Sequence, residues 1–274
     1  MSTSFQAFKF IELYALIQFF TVCLLVSMGA NMTDFQFLYI DLLALIPLAI
    51  LQSRTGAYPT LNEKLPTATL FYAPVLASVI GSAMIQLGFQ LVYFYTIKAQ
   101  PFYVPKFEVA PTIAGSKIYS YEDTVLFLIS NFQYLTVAIA FSTAYPFRKP
   151  IYSNLPFFLS ACFLLLGDIA LVLMPNPGFS FTYGENNMPV AINLGRNPVA
   201  NFFFLYPFTN LAMNSMMQSF YYYRYIILLG VICNCIATLG YEKYFIAWYT
   251  DRCDKKEKLK KDKEFESRMV KPIA

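Results

Sequence analysis

The sequence predicts an all-α, polytopic membrane protein with six transmembrane helices. Of its 274 residues, 57% are hydrophobic and only 13% are charged, whereas a soluble domain is about one quarter charged. The mean hydropathy is +0.49. An apolar run of about 20 residues is long enough to cross a bilayer as a helix. Six such runs are present, near residues 10–30, 35–52, 69–97, 124–144, 153–174 and 225–248.

The boundaries of these spans follow from the residues around them. "MSTSFQAFKFIELYALIQFF" has no basic region before its apolar stretch, so we expect a retained helix and not a cleaved signal. The short connection "SMGANMT" predicts that the first two spans form an antiparallel hairpin. The fourth span follows "YEDT" and stops at "PFRKP", where a proline and two cations mark its end. A long loop, 175–224, precedes the last span, and residues 250–274 form a basic tail.

The basic residues predict the orientation, because lysine and arginine concentrate in cytosolic loops. With the N-terminus in the cytosol, six spans return the C-terminus to the same side. Fifteen of the 20 basic residues then lie in the cytosol and five on the opposite side. The predicted topology is therefore N-in and C-in, with a cytosolic tail.

The five cysteines and the absence of histidine limit the possible chemistry. Four cysteines lie in predicted spans, where they usually act as small buried hydrophobes. Without histidine a zinc or haem site is not expected, and histidine acid–base chemistry is excluded. The expected surroundings are the lipid bilayer, and neither a metal site nor a nucleic-acid partner is predicted.

Asp41 is the strongest candidate for a functional side chain within the spans. An aspartate inside a membrane helix costs about 2.5–3.5 kcal/mol, and it usually faces a protein interior or a wet cavity. Tyr14 and Gln18 in the first span are four residues apart and share a helix face. Across the hairpin, Phe37 adds an aromatic wall and Asp34 lies at the outer end of the second span. These groups predict a cation-binding pocket, supported by carboxylate charge and cation–π attraction.

Other interpretations of the polar residues remain open. Asp41 could be protonated and hydrogen-bonded to a neighbouring helix, and Asp34 could reach water or cap its helix. Asp168 is a third acid at membrane depth without an evident partner, so a wet site and a structural bond are both possible. Asn131 and Gln133 in the fourth span are weaker candidates.

Several segments resemble the C-terminal membrane region of the type-V P-type ATPases, in particular the B branch, which includes polyamine transporters. The segments are "SFQAFKFIELYALIQF", "DFQFLYIDL", "RTGAYP", "YEDTVLFLISNFQYLTVAIAFS" and "PFRKPIYSN". The resemblance extends from residue 3 to about residue 160 and weakens beyond it. It implies that the six spans correspond to the fifth through tenth membrane helices of the family, in an endolysosomal or vacuolar membrane.

The resemblance also implies roles for the candidate residues. Asp41 would hold a substrate amine, Tyr14, Gln18 and Phe37 would line the same pocket, and Asp34 would lie at its lumenal mouth. The family is an ATP-driven translocase, but the DKTGT segment, the nucleotide domain and the proline-broken fourth helix are absent from this sequence. ATP and magnesium would therefore bind the missing N-terminal ATPase portion, which is the expected partner, and no cofactor is expected here.

Three hypotheses compete. The first is the C-terminal transmembrane part of a pump for a polyamine or another cation, as a fragment or a separate piece. The second is a non-transporting six-helix relative that binds or regulates a full-length pump. The third is an independent channel or carrier, which the lack of a visible inverted repeat disfavours. Metal cations rank below amines as cargo, because these ligands make a poor six-oxygen cage.

Overall fold

The computed structural model describes the helical part of the chain and the short connections that join it. The described residues are 2–32, 34–59, 72–101, 103, 121–142, 147–173 and 211–269, without the side chains of 2, 3, 34, 35, 211–221, 264, 265 and 267–269. In chain order the elements are α1 (Ser2–Val26), α2 (Asp34–Leu38), a first π-helical segment (Tyr39–Leu45), α3 (Ile46–Ser53), α4 (Ala73–Lys98), α5 (Tyr121–Phe141), a short 3-10 turn (Ile151–Ser153), α6 (Leu155–Leu173), α7 (Leu211–Gly240), a second π-helical segment (Tyr241–Ile246) and α8 (Ala247–Met269).

Six helices in the described residues are long and apolar enough to cross a membrane, which confirms the predicted class and the number of spans. The second span is composite and runs through α2, the first π-helical segment and α3. The last span begins in α7 and continues into α8. We call the membrane side from which α1 begins the amino-terminal side and the opposite side, where α1 turns back into α2, the far side.

The helix α5 lies at the centre of the bundle. In its apolar stretch 89% of the residues are buried, against 22–39% in the other five spans. A helix that is apolar around its whole circumference has no face for solvent and is stable when neighbours surround it. The other spans expose one side, where large apolar side chains such as Phe19, Ile80 and Leu166 are 61–67% exposed. Such exposed apolar sides are typical of helices that contact lipid.

Helix α4 and the last span are held together by two tyrosines, each of which packs against a glycine of the opposite helix. The Tyr93 hydroxyl donates to the backbone carbonyls of Ile226 (3.1 Å) and Ile227 (3.3 Å), beside Gly230. Near the other end of the interface, the Tyr241 hydroxyl donates to the Ala77 carbonyl at 2.8 Å. Backbone carbonyls of a membrane helix seldom find a second donor, so these bonds add polar attraction to close packing.

Two connections on the amino-terminal side meet around Arg148. "RTGAYP" and "PFRKP" pair through an antiparallel bridge between Ala57 and Arg148. The buried Arg148 guanidinium donates to Gln6 and to three backbone carbonyls at the end of α3, at 2.8–3.1 Å. A cation at a helix C-terminus satisfies carbonyls that have no partner within the helix. Burial lowers the pKa of Arg148, but arginine keeps its charge near neutral pH.

Candidate functional site

The candidate site is built on the hairpin of the first two spans, as the short connection predicts. The Tyr14 hydroxyl of α1 donates a hydrogen bond to Oδ1 of Asp41, and the Gln18 side chain reaches the same hydroxyl. All three side chains are half-buried. The structure therefore brings together three of the five candidate residues.

Asp41 lies in the first π-helical segment, where the backbone bonds are displaced by one residue. The N–H of Ile46 donates to the carbonyl of Asp41, five residues earlier, and Pro47 follows immediately in α3. Proline has no N–H, and its ring crowds the carbonyl four residues before it. Short π-helical turns within α-helices occur frequently at functional sites. The angular positions expected for a regular α-helix therefore do not apply between Phe37 and Asp41.

The remaining two candidates are placed less specifically. Phe37 is half-buried and packs against the apolar core of the bundle. Asp34 is the first residue of α2, and its side chain lies outside the described part of the structure. The proposed lumenal position of its carboxylate stays a prediction.

Among the described residues, hydrogen bonds to aspartate join the second span to three neighbouring helices, α1, α5 and α6. Besides the bond from Tyr14 to Asp41, Tyr39 donates to Oδ1 of Asp168 on α6 at 2.8 Å. Gln36 donates to Oδ2 of Asp123 on α5 at 3.0 Å. Asp168, which had no evident partner in the sequence, thus receives the hydroxyl of a tyrosine only two residues before Asp41. Its burial (3% exposed) and this bond favour a structural contact over a wet site.

The central helix α5 contributes aromatic rings to both tyrosine–aspartate pairs. The Tyr134 ring centroid lies 5.3 Å from that of Tyr14, and the Phe127 ring meets Tyr39 edge-on at 5.8 Å. Tyr134 is 1% exposed, so its ring forms a solvent-excluded side of the site beside Tyr14 and Asp41. Tyr134 was not predicted as a site residue, because in a single sequence it cannot be distinguished from the many other aromatic residues of the spans.

Two acids at the far side of α5 were also missed. Glu122 and Asp123 are 1% and 2% exposed, although acids in the first turn of a helix usually reach water. Tyr103 donates to Oε1 of Glu122 at 2.5 Å. Burial raises the pKa of the Tyr103 phenol, and the hydrogen bond to Glu122 raises it further. Because Asp123 accepts from Gln36 of α2, these two buried acids lie beside the far-side beginning of the second span.

Gln133 belongs to a separate network of amides that links four spans. Gln90 donates to Thr21 at 3.0 Å and to Gln133 at 2.9 Å. Gln133 in turn donates to the Gln86 carbonyl at 3.0 Å, and the Gln86 side chain accepts from Asn234 at 3.0 Å. All these groups are buried, and buried amides that satisfy one another hold membrane helices together. Gln133 therefore has a structural role in this conformation.

The described residues contain no group of three or more cysteine, aspartate and glutamate side chains placed to hold a metal ion. What the arrangement around Asp41 offers chemically is one carboxylate, one phenol, one amide and a second aromatic ring in a half-buried position. Such a set suits an organic cation, because the carboxylate supplies charge and the rings attract a desolvated ammonium group.

No protein-family model matches the chain. It is 40% identical over 178 residues to polyamine-transporting ATPase 13A2 of Mus musculus, an alignment covering 65% of this chain and 15% of the relative. It is 38% identical over 192 residues to polyamine-transporting ATPase 13A3 of Homo sapiens, covering 63% and 16%. Vacuolar cation-transporting ATPase YPK9 of Saccharomyces cerevisiae is 37% identical over 156 residues, covering 57% and 10%. The chain thus spans about one sixth or less of the length of these relatives.

Proposed function

Because the chain is a homologue of the polyamine-transporting P-type ATPases of the type-V B branch, we propose that it forms the C-terminal transmembrane part of such a pump and one side of its substrate pocket. Asp41 is the residue that binds a substrate amine. The observation that supports this assignment is the contact of its carboxylate with Tyr14 in a half-buried position between the first two spans.

The chemistry of the pocket follows from its polar groups. An ammonium group that enters the bundle loses water, and the Asp41 carboxylate compensates for part of that loss by charge attraction. The rings of Tyr14 and Tyr134, which lie side by side, attract the same cation through their faces. Gln18 can accept a further N–H from the amine through its amide oxygen. Binding then replaces the hydrogen bond from Tyr14 with bonds from the substrate.

Energy for transport has to come from the ATPase portion of the family, which is the proposed partner. In the family, ATP and magnesium bind there, and phosphorylation opens the pocket to the lumen. The amino-terminal side of the bundle would face the cytosol, because fifteen of the 20 basic residues are then cytosolic. The far-side end of α5, where Glu122 and Asp123 are buried, would then lie toward the lumen. One relative is named as vacuolar, so an endolysosomal or vacuolar membrane is the proposed location.

The test is an Asp41→Asn substitution in a pump assembled from this chain and the ATPase portion, reconstituted in proteoliposomes. Asparagine keeps the size of the side chain and removes its charge, so spermine-stimulated ATP hydrolysis should fall at least tenfold if a charged hydrogen bond is lost. Asp262→Asn is the matched control, because Asp262 is exposed on α8 and far from the pocket. Unchanged stimulation in Asp41→Asn would remove Asp41 from the substrate site.

The second candidate function is a non-transporting relative that binds or regulates a full-length pump. Co-purification with an intact pump, together with a change in that pump's ATP hydrolysis that Asp41→Asn does not alter, would support this function over transport.

A further inference from the structure

Asn131 has an unsatisfied amide in the interior of the bundle. Its side chain is 2% exposed, and neither Oδ1 nor Nδ2 has a hydrogen-bond partner among the described residues. Resting on the proposed function, we propose that Asn131 is a further substrate-binding residue that accepts a hydrogen bond from a second amine of the polycation held at Asp41.

The position of Asn131 on α5 places it between the two tyrosine–aspartate pairs. It follows Phe127, whose ring meets Tyr39, by four residues, and it precedes Tyr134, whose ring meets Tyr14, by three residues. Residues three and four apart share a helix face. Asn131 is therefore on the face that α5 turns toward the first two spans, and about 4.5 Å along the helix axis from Tyr134 at 1.5 Å per residue.

Gln133, a buried amide on the same helix, has the hydrogen-bond partners that Asn131 lacks. Gln133 lies two residues further along the same helix, is equally buried, and uses its amide nitrogen and oxygen in hydrogen bonds to Gln86 and Gln90. A buried amide without a partner is unfavourable, and natural proteins rarely keep one without a reason. An apolar residue at position 131 would avoid that cost. An unsatisfied amide next to a candidate binding site is explained if a ligand supplies its partners.

The chemistry of the ligand follows from the acceptor and its spacing. The Oδ1 atom of Asn131 can accept an N–H from an ammonium group, and Nδ2 can donate to a water molecule that enters with it. The offset of about 4.5 Å between Asn131 and Tyr134 is close to the separation of two nitrogens joined by three methylene groups. One amine at Asp41 and the next at Asn131 would distinguish a polyamine from a monoamine.

The experiment compares Asn131→Leu with Gln133→Leu in the assembled pump, with spermine as the probe. Leucine has the same branching as asparagine and carries no polar atoms. Asn131→Leu should raise the KM for spermine about ten- to a hundredfold, which is typical for the loss of a charge-assisted hydrogen bond. Its melting temperature should be equal to or above that of the wild type, since no internal bond is lost. Gln133→Leu should lower the melting temperature, because it removes the buried hydrogen bonds that Gln133 makes with Gln90 and with the Gln86 carbonyl.

Asn131→Ala provides a second variant with the same expected rise in KM if leucine does not fit. A KM within twofold of the wild type in both variants would overturn the inference. A melting temperature of Asn131→Leu that falls as far as that of Gln133→Leu would also overturn it. Asp41→Asn separates this outcome from failure of the proposed function. If Asp41→Asn abolishes the response to spermine while Asn131→Leu and Asn131→Ala leave it intact, only the role of Asn131 is excluded. If Asp41→Asn also leaves it intact, the proposed function fails as well.

Discussion

The Tyr241 hydroxyl occupies the space in which a Cβ atom on Gly81 would stand. A Cβ built at Gly81 would lie 2.0 Å from that oxygen and 2.3 Å from the ring carbon that carries it. The ring cannot move away without loss, because its hydroxyl bonds to Ala77 and its face stacks on Phe245 at 5.2 Å. The absence of a side chain at Gly81 is therefore what allows α4 to approach the last span this closely.

Gly81→Ala should destabilise the bundle by about 1–3 kcal/mol, as overpacking of a well-packed interior does. Gly88→Ala on the same helix is the matched control, because a Cβ there meets nothing within 4 Å. Replacing glycine by alanine within a helix is otherwise favourable by about 1 kcal/mol, so the control should be neutral or stabilising. Thermal unfolding in detergent measures both variants, and an unchanged melting temperature in Gly81→Ala would contradict the close packing.

A buried ion pair joins α1 to the second π-helical segment. Lys9 Nζ lies 2.5 Å from Glu242 Oε1, and their side chains are 14% and 7% exposed. Ser78 donates to the other carboxylate oxygen at 2.6 Å, and the lysine ammonium lies 4.4 Å from the Phe141 ring centroid. Glu242→Gln should destabilise the protein by about 3–5 kcal/mol, because the ammonium group is left buried without its counter-ion.

The double variant Lys9→Met with Glu242→Gln tests the cause of that loss. Removing both charges should restore most of the stability, since an apolar replacement of a buried pair is often close to neutral. A double-mutant cycle on melting temperatures measures the coupling. Additive losses from the two single substitutions would show that the charges do not act as a pair.

Arg148→Lys should destabilise the amino-terminal side of the bundle by about 2 kcal/mol, although it keeps the charge. The guanidinium of Arg148 donates hydrogen bonds to Gln6 and to three carbonyls at the end of α3. A lysine ammonium group cannot reproduce this planar arrangement of donors. Lys149→Ala is the control, because Lys149 is exposed and surface substitutions usually stay within about 0.5 kcal/mol. Limited proteolysis of the connection after α3 reports the change. Equal protection in Arg148→Lys and the wild type would mean that the bonds of the guanidinium are dispensable.

Hydropathy predicted the six helices because a membrane requires long apolar runs whatever the details of packing. The contact between Tyr14 and Asp41 was also predictable, since the short connection fixes an antiparallel hairpin and the i,i+4 spacing fixes a face. The two π-helical segments were not predicted. A displacement of one residue in the backbone bonds leaves an apolar run unchanged, and only Pro47 marked the first segment.

The partners of the other polar residues depend on how the helices pack around α5. Asp168 finds Tyr39, and Glu122 and Asp123 are buried, because neighbouring helices cover positions that would otherwise reach lipid or water. A single sequence contains no information on which helix faces which. The different situations of Asn131 and Gln133, both amides two residues apart, appear only when the spans are assembled.

The last helix is continuous from Leu211 to Met269, through α7, the second π-helical segment and α8. Its inner part is clasped to α4, whereas α8 beyond the bundle is largely exposed and stiffened by ion pairs such as Lys255 with Asp251 at 2.7 Å. Because the helix is continuous, α8 has to move with the part that is packed against α4. A small tilt of the clamped part would sweep the outer end over a much larger arc, so a protein that grips α8 from outside could sense or drive the tilt of the membrane bundle without touching its interior.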